Sequence, residues 1–214
     1  MMKTFARASG VIALALAMGG AAHAANLVDD GTFDSPFGGP TFTTFGAGTS
    51  FGPWSVTSGS VDLIGGYWQA PAGTTGSVDL DGNSPGGISQ SISTGTGTYM
   101  LSFDLSGNPD EGPTTKTLEV SVGGVTQTYT YMIGANSHAD MMYTPETLTF
   151  TASGPTTLTF TSLDVNSPSG PVIGDVAISA VPEPASWALM VLGLGAMGGA
   201  LRSSRARMTG LAGA

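Results

Sequence analysis

Short runs in which apolar and polar residues alternate with a period of two, interrupted by Gly, Pro, Asn and Asp, recur from about residue 54 to residue 180. This is the pattern of half-buried strands, and no stretch between them has helical period. In Tyr99-Met100-Leu101-Ser102-Phe103-Asp104-Leu105, residues 99, 101, 103 and 105 fall on one face and Ser102 and Asp104 on the other. Further strands are predicted at Thr117 to Val122, Val125 to Ile133, Thr147 to Ala152, Thr156 to Leu163 and Val172 to Ala180, with a tight hairpin turn at Gly123-Gly124. The stretch from Asp34 to Gly52 has little pattern and is predicted to be a long loop. Gly59-Ser60-Val61-Asp62-Leu63 recurs as Gly76-Ser77-Val78-Asp79-Leu80, which reads as two strands of one sheet. In that reading Val61, Leu63, Val78 and Leu80 face inward and Asp62 and Asp79 outward. The fold class is all-β, and regularly spaced strands in a domain of this size favour a two-sheet sandwich or jelly roll.

The termini are built differently. Lys3 and Arg7 precede an apolar stretch from Val11 to Met18 and then Ala22-His23-Ala24, the layout of a secretory signal peptide cleaved by signal peptidase after Ala24. Near the other end, Pro182-Glu183-Pro184 cannot be helix interior, because proline lacks an N–H and biases its predecessor toward extended geometry. The fold is therefore expected to stop near Ala180. From Ala185 to Leu201 there are 17 residues without a charge, at the short limit of a transmembrane helix. Trp187 marks one interface, and Arg202, Arg205 and Arg207 form a basic end that stays cytoplasmic. The chain divides into a signal peptide, 1–24; a β domain, 25–180; a C-terminal segment, 181–207; and a tail, 208–214. Both ends place the domain outside the inner membrane.

Charge narrows the partners. Five of the six basic residues lie in the terminal segments, leaving Lys116 in the domain against 14 of the chain's 15 acids. Such a surface repels phosphate backbones and argues against nucleic-acid binding; it attracts divalent cations and is compatible with neutral sugars. Cysteine is absent, so disulfide and thiolate chemistry are excluded.

The C-terminal residues Val181-Pro182-Glu183-Pro184-Ala185-Ser186-Trp187-Ala188, the apolar run and the arginines resemble the PEP-CTERM sorting signal of Gram-negative bacteria. That resemblance implies an exosortase as partner, passage through the inner membrane, and delivery to the cell surface or extracellular matrix of exopolysaccharide producers. The domain has a second resemblance, carried by Asn26-Leu27-Val28-Asp29-Asp30-Gly31-Thr32-Phe33-Asp34, Trp54, Gly59 to Ile64, Tyr67-Trp68, Ser77 to Gly82, Ile88-Ser89-Gln90, Tyr99 to Asn108 and Gly170-Pro171-Val172-Ile173-Gly174-Asp175-Val176. In order and spacing these segments are similar to the choice-of-anchor C family, whose domain is itself similar to the plant cell-wall domain of unknown function six-four-two. The resemblance implies a galactose-binding-like jelly roll of the kind many carbohydrate-binding modules share, with no established enzymatic activity. It also implies a structural calcium ion tying the first strand to the last, with Asp34 and Asp175 as contributors, although Gly174 stands where related modules often carry an acid.

Read from the residues, sugar binding needs flat aromatic faces with amide or carboxylate partners, and Tyr67, Trp68 and Gln69 are the candidates. Adjacent Tyr67 and Trp68 point to opposite faces if they lie on a strand. Trp54 suits a core, and Tyr129 and Tyr131 share one strand face that suits a core or a stacking strip. Asp79-Leu80-Asp81-Gly82-Asn83, or Asp62 against Asp79, offers a second cation site, and Asp62, Asp79, Asp81 and Asp104 are the acids available for glycoside hydrolysis. Gly48-Thr49-Ser50-Phe51-Gly52 matches a nucleophile elbow, but that motif needs a strand-turn-helix setting; His138 is the one histidine beyond the signal peptide. The best-supported function is non-catalytic binding of exopolysaccharide by an exported surface protein, with no catalytic residue. A self-associating matrix protein without a sugar site is the alternative, and a glycan-active enzyme ranks third.

Overall fold

The computed structural model describes residues 25–34, 41–165, 167–182 and 190–198. The strands are β1 (Phe42–Gly46), β2 (Ser50–Phe51), β3 (Trp54–Ser58), β4 (Ser60–Ile64), β5 (Ser77–Asp79), β6 (Gly87–Ile92), β7 (Thr96–Gly107), β8 (Thr115–Val122), β9 (Val125–Met132), β10 (Thr144–Ser153), β11 (Thr156–Ser162) and β12 (Pro171–Ala180). They form two six-stranded sheets, in the orders β1-β4-β5-β12-β7-β10 and β2-β3-β6-β11-β8-β9, with antiparallel pairing throughout. The all-β jelly-roll sandwich expected from the alternation is the observed fold.

Alternation sends one side chain in two into the space between the sheets. Leu101, Phe103 and Leu105 of β7, Leu118 and Val120 of β8, and Leu158 and Phe160 of β11 are buried there. Trp54 is fully buried, its ring centroid 5.4 Å from that of Phe33 and 6.2 Å from that of Phe160. Its indole N–H donates to the Asp30 carbonyl at 3.1 Å, so the tryptophan belongs to the core and also fastens the 25–34 segment. Tyr129 and Tyr131 pack partly buried against the same core. Between β8 and β9 the two-residue turn needs positive φ at both positions, and Gly123 and Gly124 supply 58° and 78°.

The stretch expected to be a long loop contains β1 and β2. Its residues carry no alternation because β1, Phe-Thr-Thr-Phe-Gly, sets its two aromatics three apart and β2 is two residues long. The chain crosses from one sheet to the other between them, with Thr49 N–H donating to the Gly46 carbonyl at 3.1 Å. Asp62 and Asp79 do stand directly opposite each other. Asp79, however, is buried rather than solvated, because the segments around Asn108 and Gly170 lie over it and donate to its carboxyl.

The beginning of the domain is laid along its last strand. Leu27 N–H donates to the Ile178 carbonyl at 2.9 Å, Val176 N–H to the Gly31 carbonyl at 2.9 Å, and Ile178 N–H to Asn26 Oδ1 at 3.0 Å. Residues 190–198 are helical with Met190, Val191, Leu192, Leu194 and Met197 exposed, and no helix among the described residues is long and apolar enough to cross a membrane. The signal peptide, the rest of the expected transmembrane segment, the basic end and the tail lie outside the described residues.

Trp54→Ala removes the largest fully buried side chain and one anchor of the 25–34 segment. It is expected to reduce unfolding free energy by about 3–5 kcal/mol, measured by urea denaturation.

Candidate functional site: an aromatic and acidic groove

The outer face of the first sheet is covered by loops. Residues 65–76, 107–114, 134–143, 163–165 and 167–170 stand over its β4-β5-β12-β7 part and bury a second, small apolar cluster of Ile64, Trp68, Met141 and Val172. Between these loops and the outer face of β1 and β4 is a groove of about 240 Å³, lined by Phe42, Thr44, Asp62, Tyr67, Asp79, Asn83, Asn108, Asp110 and Glu111 among others.

Tyr67 is its central ring. The hydroxyl donates to Asp110 Oδ2 at 3.0 Å, and His138 Nε2 lies 2.6 Å from Asp110 Oδ1. One carboxylate thus holds both rings, whose centroids are 4.6 Å apart. Phe42 meets Tyr67 edge-on at 5.4 Å. The bond to Asp110 is the first reason, ahead of burial, that the phenol is pushed above its ordinary range; it remains a neutral donor at any physiological pH. Asp110 is itself set by its N–H donating to Asn108 Oδ1 at 2.9 Å, and Asn108 Nδ2 donates to Asp79 Oδ2 at 2.7 Å. A continuous hydrogen-bonded line therefore runs from the buried Asp79 to the half-exposed Tyr67.

On the opposite wall, Asp62 accepts from Thr44 Oγ1 at 2.5 Å. Burial pushes its carboxyl up, and the Thr44 bond partly offsets this. Asp79 accepts from the N–H groups of Asp81 and Gly170 through Oδ1, yet burial dominates and holds it well above the usual carboxylate range. The upward push on Asp79 favours its neutral form and so eases the repulsion expected between two facing carboxylates.

Of the aromatic pair named from the sequence, only Tyr67 is available to a ligand. The two residues occupy a bend at 65–68 rather than a strand, so they are not forced to opposite faces, and their rings are 5.3 Å apart. Trp68 is buried, with Nε1 donating to Ser77 Oγ at 3.0 Å. Gln69 ties two loops: its N–H donates to the His138 carbonyl at 2.8 Å, and its Oε1 accepts from Met141 N–H at 3.0 Å. Phe42, Asn83 and Asp110 were not singled out in the sequence; Asp110 sits in a loop whose Gly, Asn and Pro content signals a turn and nothing about what the turn covers.

Ser50 and His138 do not form a catalytic pair. Ser50 Oγ faces Ser55 Oγ at 3.4 Å in the second sheet, whereas His138 belongs to the groove. Asp79 lies at the bottom of the groove, almost fully buried and with both carboxyl oxygens engaged by donors, which weighs against Asp62 and Asp79 as a glycosidase pair.

Asp34 and Asp175 lie on segments that both pack on the turn at 71–76. Asp34 accepts from Thr75 N–H at 3.1 Å, Thr75 Oγ1 at 2.5 Å and Thr32 Oγ1 at 2.8 Å; the Thr75 hydroxyl is the leading reason its carboxyl is held below the usual range. Asp175 is exposed at the irregularity in β12 with φ 48°, and the neighbouring Gly174 packs on Pro71. Calcium here would compete with the donors that Asp34 already has, and among the described residues no group of three acidic or histidine side chains converges on a metal position.

Residues 180–206 match the PEP-CTERM protein-sorting motif. The chain carries an exosortase sorting signal. Of the motif residues named from the sequence, Pro182 is described and exposed directly after β12, while Glu183, Pro184, Trp187, Arg202, Arg205 and Arg207 lie outside the described residues. The motif marks the protein for export and for sorting to the cell surface or beyond. Over 170 residues the chain is 34% identical to halomucin of Haloquadratum walsbyi (strain DSM 16790 / HBSQ001), covering 74% of this chain; it spans about 2% of the length of that curated relative. Among solved structures, it is similar to the module TmCBM61 in complex with β-1,4-galactotriose (TM-score 0.48, 16% identity, 73% of this chain and 99% of that one). It is also similar to a CBM35 from Paenibacillus barcinonensis (TM-score 0.41, 19% identity, 65% and 99%) and a family 35 carbohydrate-binding module from Clostridium thermocellum (TM-score 0.42, 13% identity, 60% and 92%).

Trp68→Ala is expected to lower the unfolding free energy by about 3–5 kcal/mol, as a core truncation does, whereas Tyr67→Ala, at a half-exposed ring, is expected to lower it by about 1–2 kcal/mol. Paired denaturant curves separate the two roles.

Proposed function

We propose that the domain is a non-catalytic carbohydrate-binding module which, once sorted by an exosortase, attaches the protein to neutral exopolysaccharide at the cell surface or in the extracellular matrix. The observation that carries this reading is the Tyr67 ring, half-exposed in a groove and locked by Asp110, with Asp62, Asn83 and Glu111 beside it. An immobilised aromatic face offers a stacking surface for a pyranose ring at little entropic cost, and the flanking amide and carboxylates can accept and donate to sugar hydroxyls. Within the β domain the sole lysine or arginine, Lys116, is fully buried, so nothing at this groove compensates the charge of a uronate or sulfate and neutral glycans are favoured. Asp79, engaged by three donors, and His138, held by Asp110, are not free to act as acid and base at the groove, which supports binding without turnover. Membership of the choice-of-anchor C family, cleavage after Ala24 and transient residence in the inner membrane through the 185–201 segment belong to the same proposal.

Binding of the purified protein to a panel of neutral and anionic polysaccharides tests it. Retention on at least one neutral glycan, reduced tenfold or more by Tyr67→Ala while the fold persists, is the expected result. Absence of retention on every glycan by a folded protein contradicts it and favours a matrix protein that works by self-association.

Calcium at Asp34 and Asp175 enters this reading as a corner stabiliser separate from the groove. Added calcium is then expected to raise the thermal midpoint and a chelator to lower it, both without effect in Asp34→Asn; an unchanged midpoint removes the ion. For sorting, Glu183→Ala is expected to leave unprocessed protein in the inner membrane, read by fractionation, and a wild-type distribution contradicts the role of Glu183.

A further inference from the structure

Beneath the groove lies a sealed group of ionisable side chains that the binding reading does not use. Asp79 comes from β5, Asp81 from the turn after it, Lys116 from β8 and Asp164 from the segment after β11; all four are buried, Asp81 and Lys116 completely. Lys116 alternates inward with Leu118 and Val120. Its Nζ donates to the carbonyls of Glu111 at 2.7 Å and Ser169 at 2.5 Å and makes no ion pair with the three carboxyls. Asp164 Oδ1 accepts from Thr117 N–H at 2.8 Å. Asp164 Oδ2 and both oxygens of Asp81, in contrast, meet no hydrogen-bond donor of good geometry, Ser162 and the Gly86 N–H being the donors nearest to Asp81. The chain packs directly on Asp81: a Cβ on Gly170 would collide with its carboxyl.

Three carboxyls therefore share one ammonium in a space closed to water. Asp79 has three donors and Asp164 the Thr117 N–H, but an ionised Asp81, poorly supplied with donors, is disfavoured there, so the packing around Asp81 is compatible with the protonated form.

We propose that this cluster is a proton-controlled clasp for the floor of the groove: protonated, it holds residues 163–165 and 167–170 against β5 and β8, and ionised, it releases them and weakens the sugar site above. The clasp rests on the carbohydrate-binding reading for its function. Its connection to the site is the line Asp79, Asn108, Asp110, Tyr67, together with the Gly170 N–H that donates to Asp79 Oδ1 at 3.0 Å.

The charged neighbours of each group come from every element around it. Asp79 is faced by Asp81 and, from β4, Asp62; Asp81 by Asp164 and Lys116; and Lys116 also by Glu111. Burial is the leading cause throughout, pushing Asp79 well up, Asp81 to about 6 and Asp164 up, and Lys116 down. A carboxyl raised in the folded state contributes its full stabilisation below its unfolded value of about 4, and loses it as the pH rises through about 6 in the case of Asp81. The depressed lysine acts oppositely, but only as the pH approaches the ordinary lysine range.

The test is amide hydrogen exchange of the full chain in detergent micelles at pH 5 and pH 8, corrected for intrinsic exchange, with binding of soluble β-1,4-galactan and xylan followed in parallel. Protection at Gly170 and Thr117 is expected to fall at least tenfold from pH 5 to pH 8, and binding to weaken with it. Asp81→Asn, which keeps the shape without the charge, is expected to flatten both profiles; Asp164→Asn serves the same purpose if that variant does not fold. Equal protection at the two pH values in the wild type, or an undiminished pH dependence in the variants, overturns the clasp. Protection that falls as expected while neither glycan binds at any pH overturns its link to a sugar site and identifies the binding reading as the part that failed.

Discussion

One buried carboxyl, Asp79, joins the parts of the domain on which the groove depends. Its two oxygens receive the N–H groups of Asp81 and Gly170 and the side chain of Asn108, so β5, the approach to β12 and the loop leaving β7 share a single acceptor. These segments are distant in sequence and have few apolar contacts with one another outside the sheet. Without the shared acceptor their backbone N–H groups would be buried without partners, at about 1–3 kcal/mol each. Burial pushes the Asp79 carboxyl up toward its neutral form, which lessens the charge–charge conflict with Asp62 on the same sheet face.

The sandwich beneath is built from a different interaction. Its core is apolar and aromatic, linked from Phe33 through Trp54 and Phe160 to Phe103, and it requires neither disulfide nor metal. The division suits an exported protein without cysteine: hydrophobic burial holds the two sheets together, while hydrogen bonds position the loops. The loops can therefore be specialised for a ligand without weakening the core. Acid, amide and aromatic side chains gather on one sheet face, and the single lysine is turned inward where it satisfies two loop carbonyls.

Much of this was legible in the sequence. Period-two alternation identified β7 to β12 because each has one face on the core, and the repeated Gly-Ser-Val-Asp-Leu segments do pair as β4 and β5. Trp54 is where a lone tryptophan in a small β domain is expected. The strands at 42–46 and 50–51 were missed because the first, Phe-Thr-Thr-Phe-Gly, sets its two aromatics three apart and the second is two residues long, so neither shows a period of two. Asp79 was read as solvent-facing because alternation reports which side of the sheet a residue occupies, not whether loops cover that side. The same blindness left Tyr67 and Trp68 as equal candidates, whereas Trp68 is buried and Tyr67 is the half-exposed ring: their adjacency was visible, but their bend was not. Lys116 carried a signal that could have been used, since it occupies an inward position in the run with Leu118 and Val120.

The most direct measurement is nuclear magnetic resonance mapping of the isotope-labelled protein titrated with a neutral oligosaccharide drawn from a polysaccharide that retains it. Shifts concentrated at Tyr67, Asn83, Asp110 and Glu111, with the outer face of the second sheet around Ser89 and Thr159 unchanged, are the expected result. Shifts centred on that second sheet, or spread over the edge strands β9 and β10 as in self-association, would contradict the assignment of the groove as the sugar site.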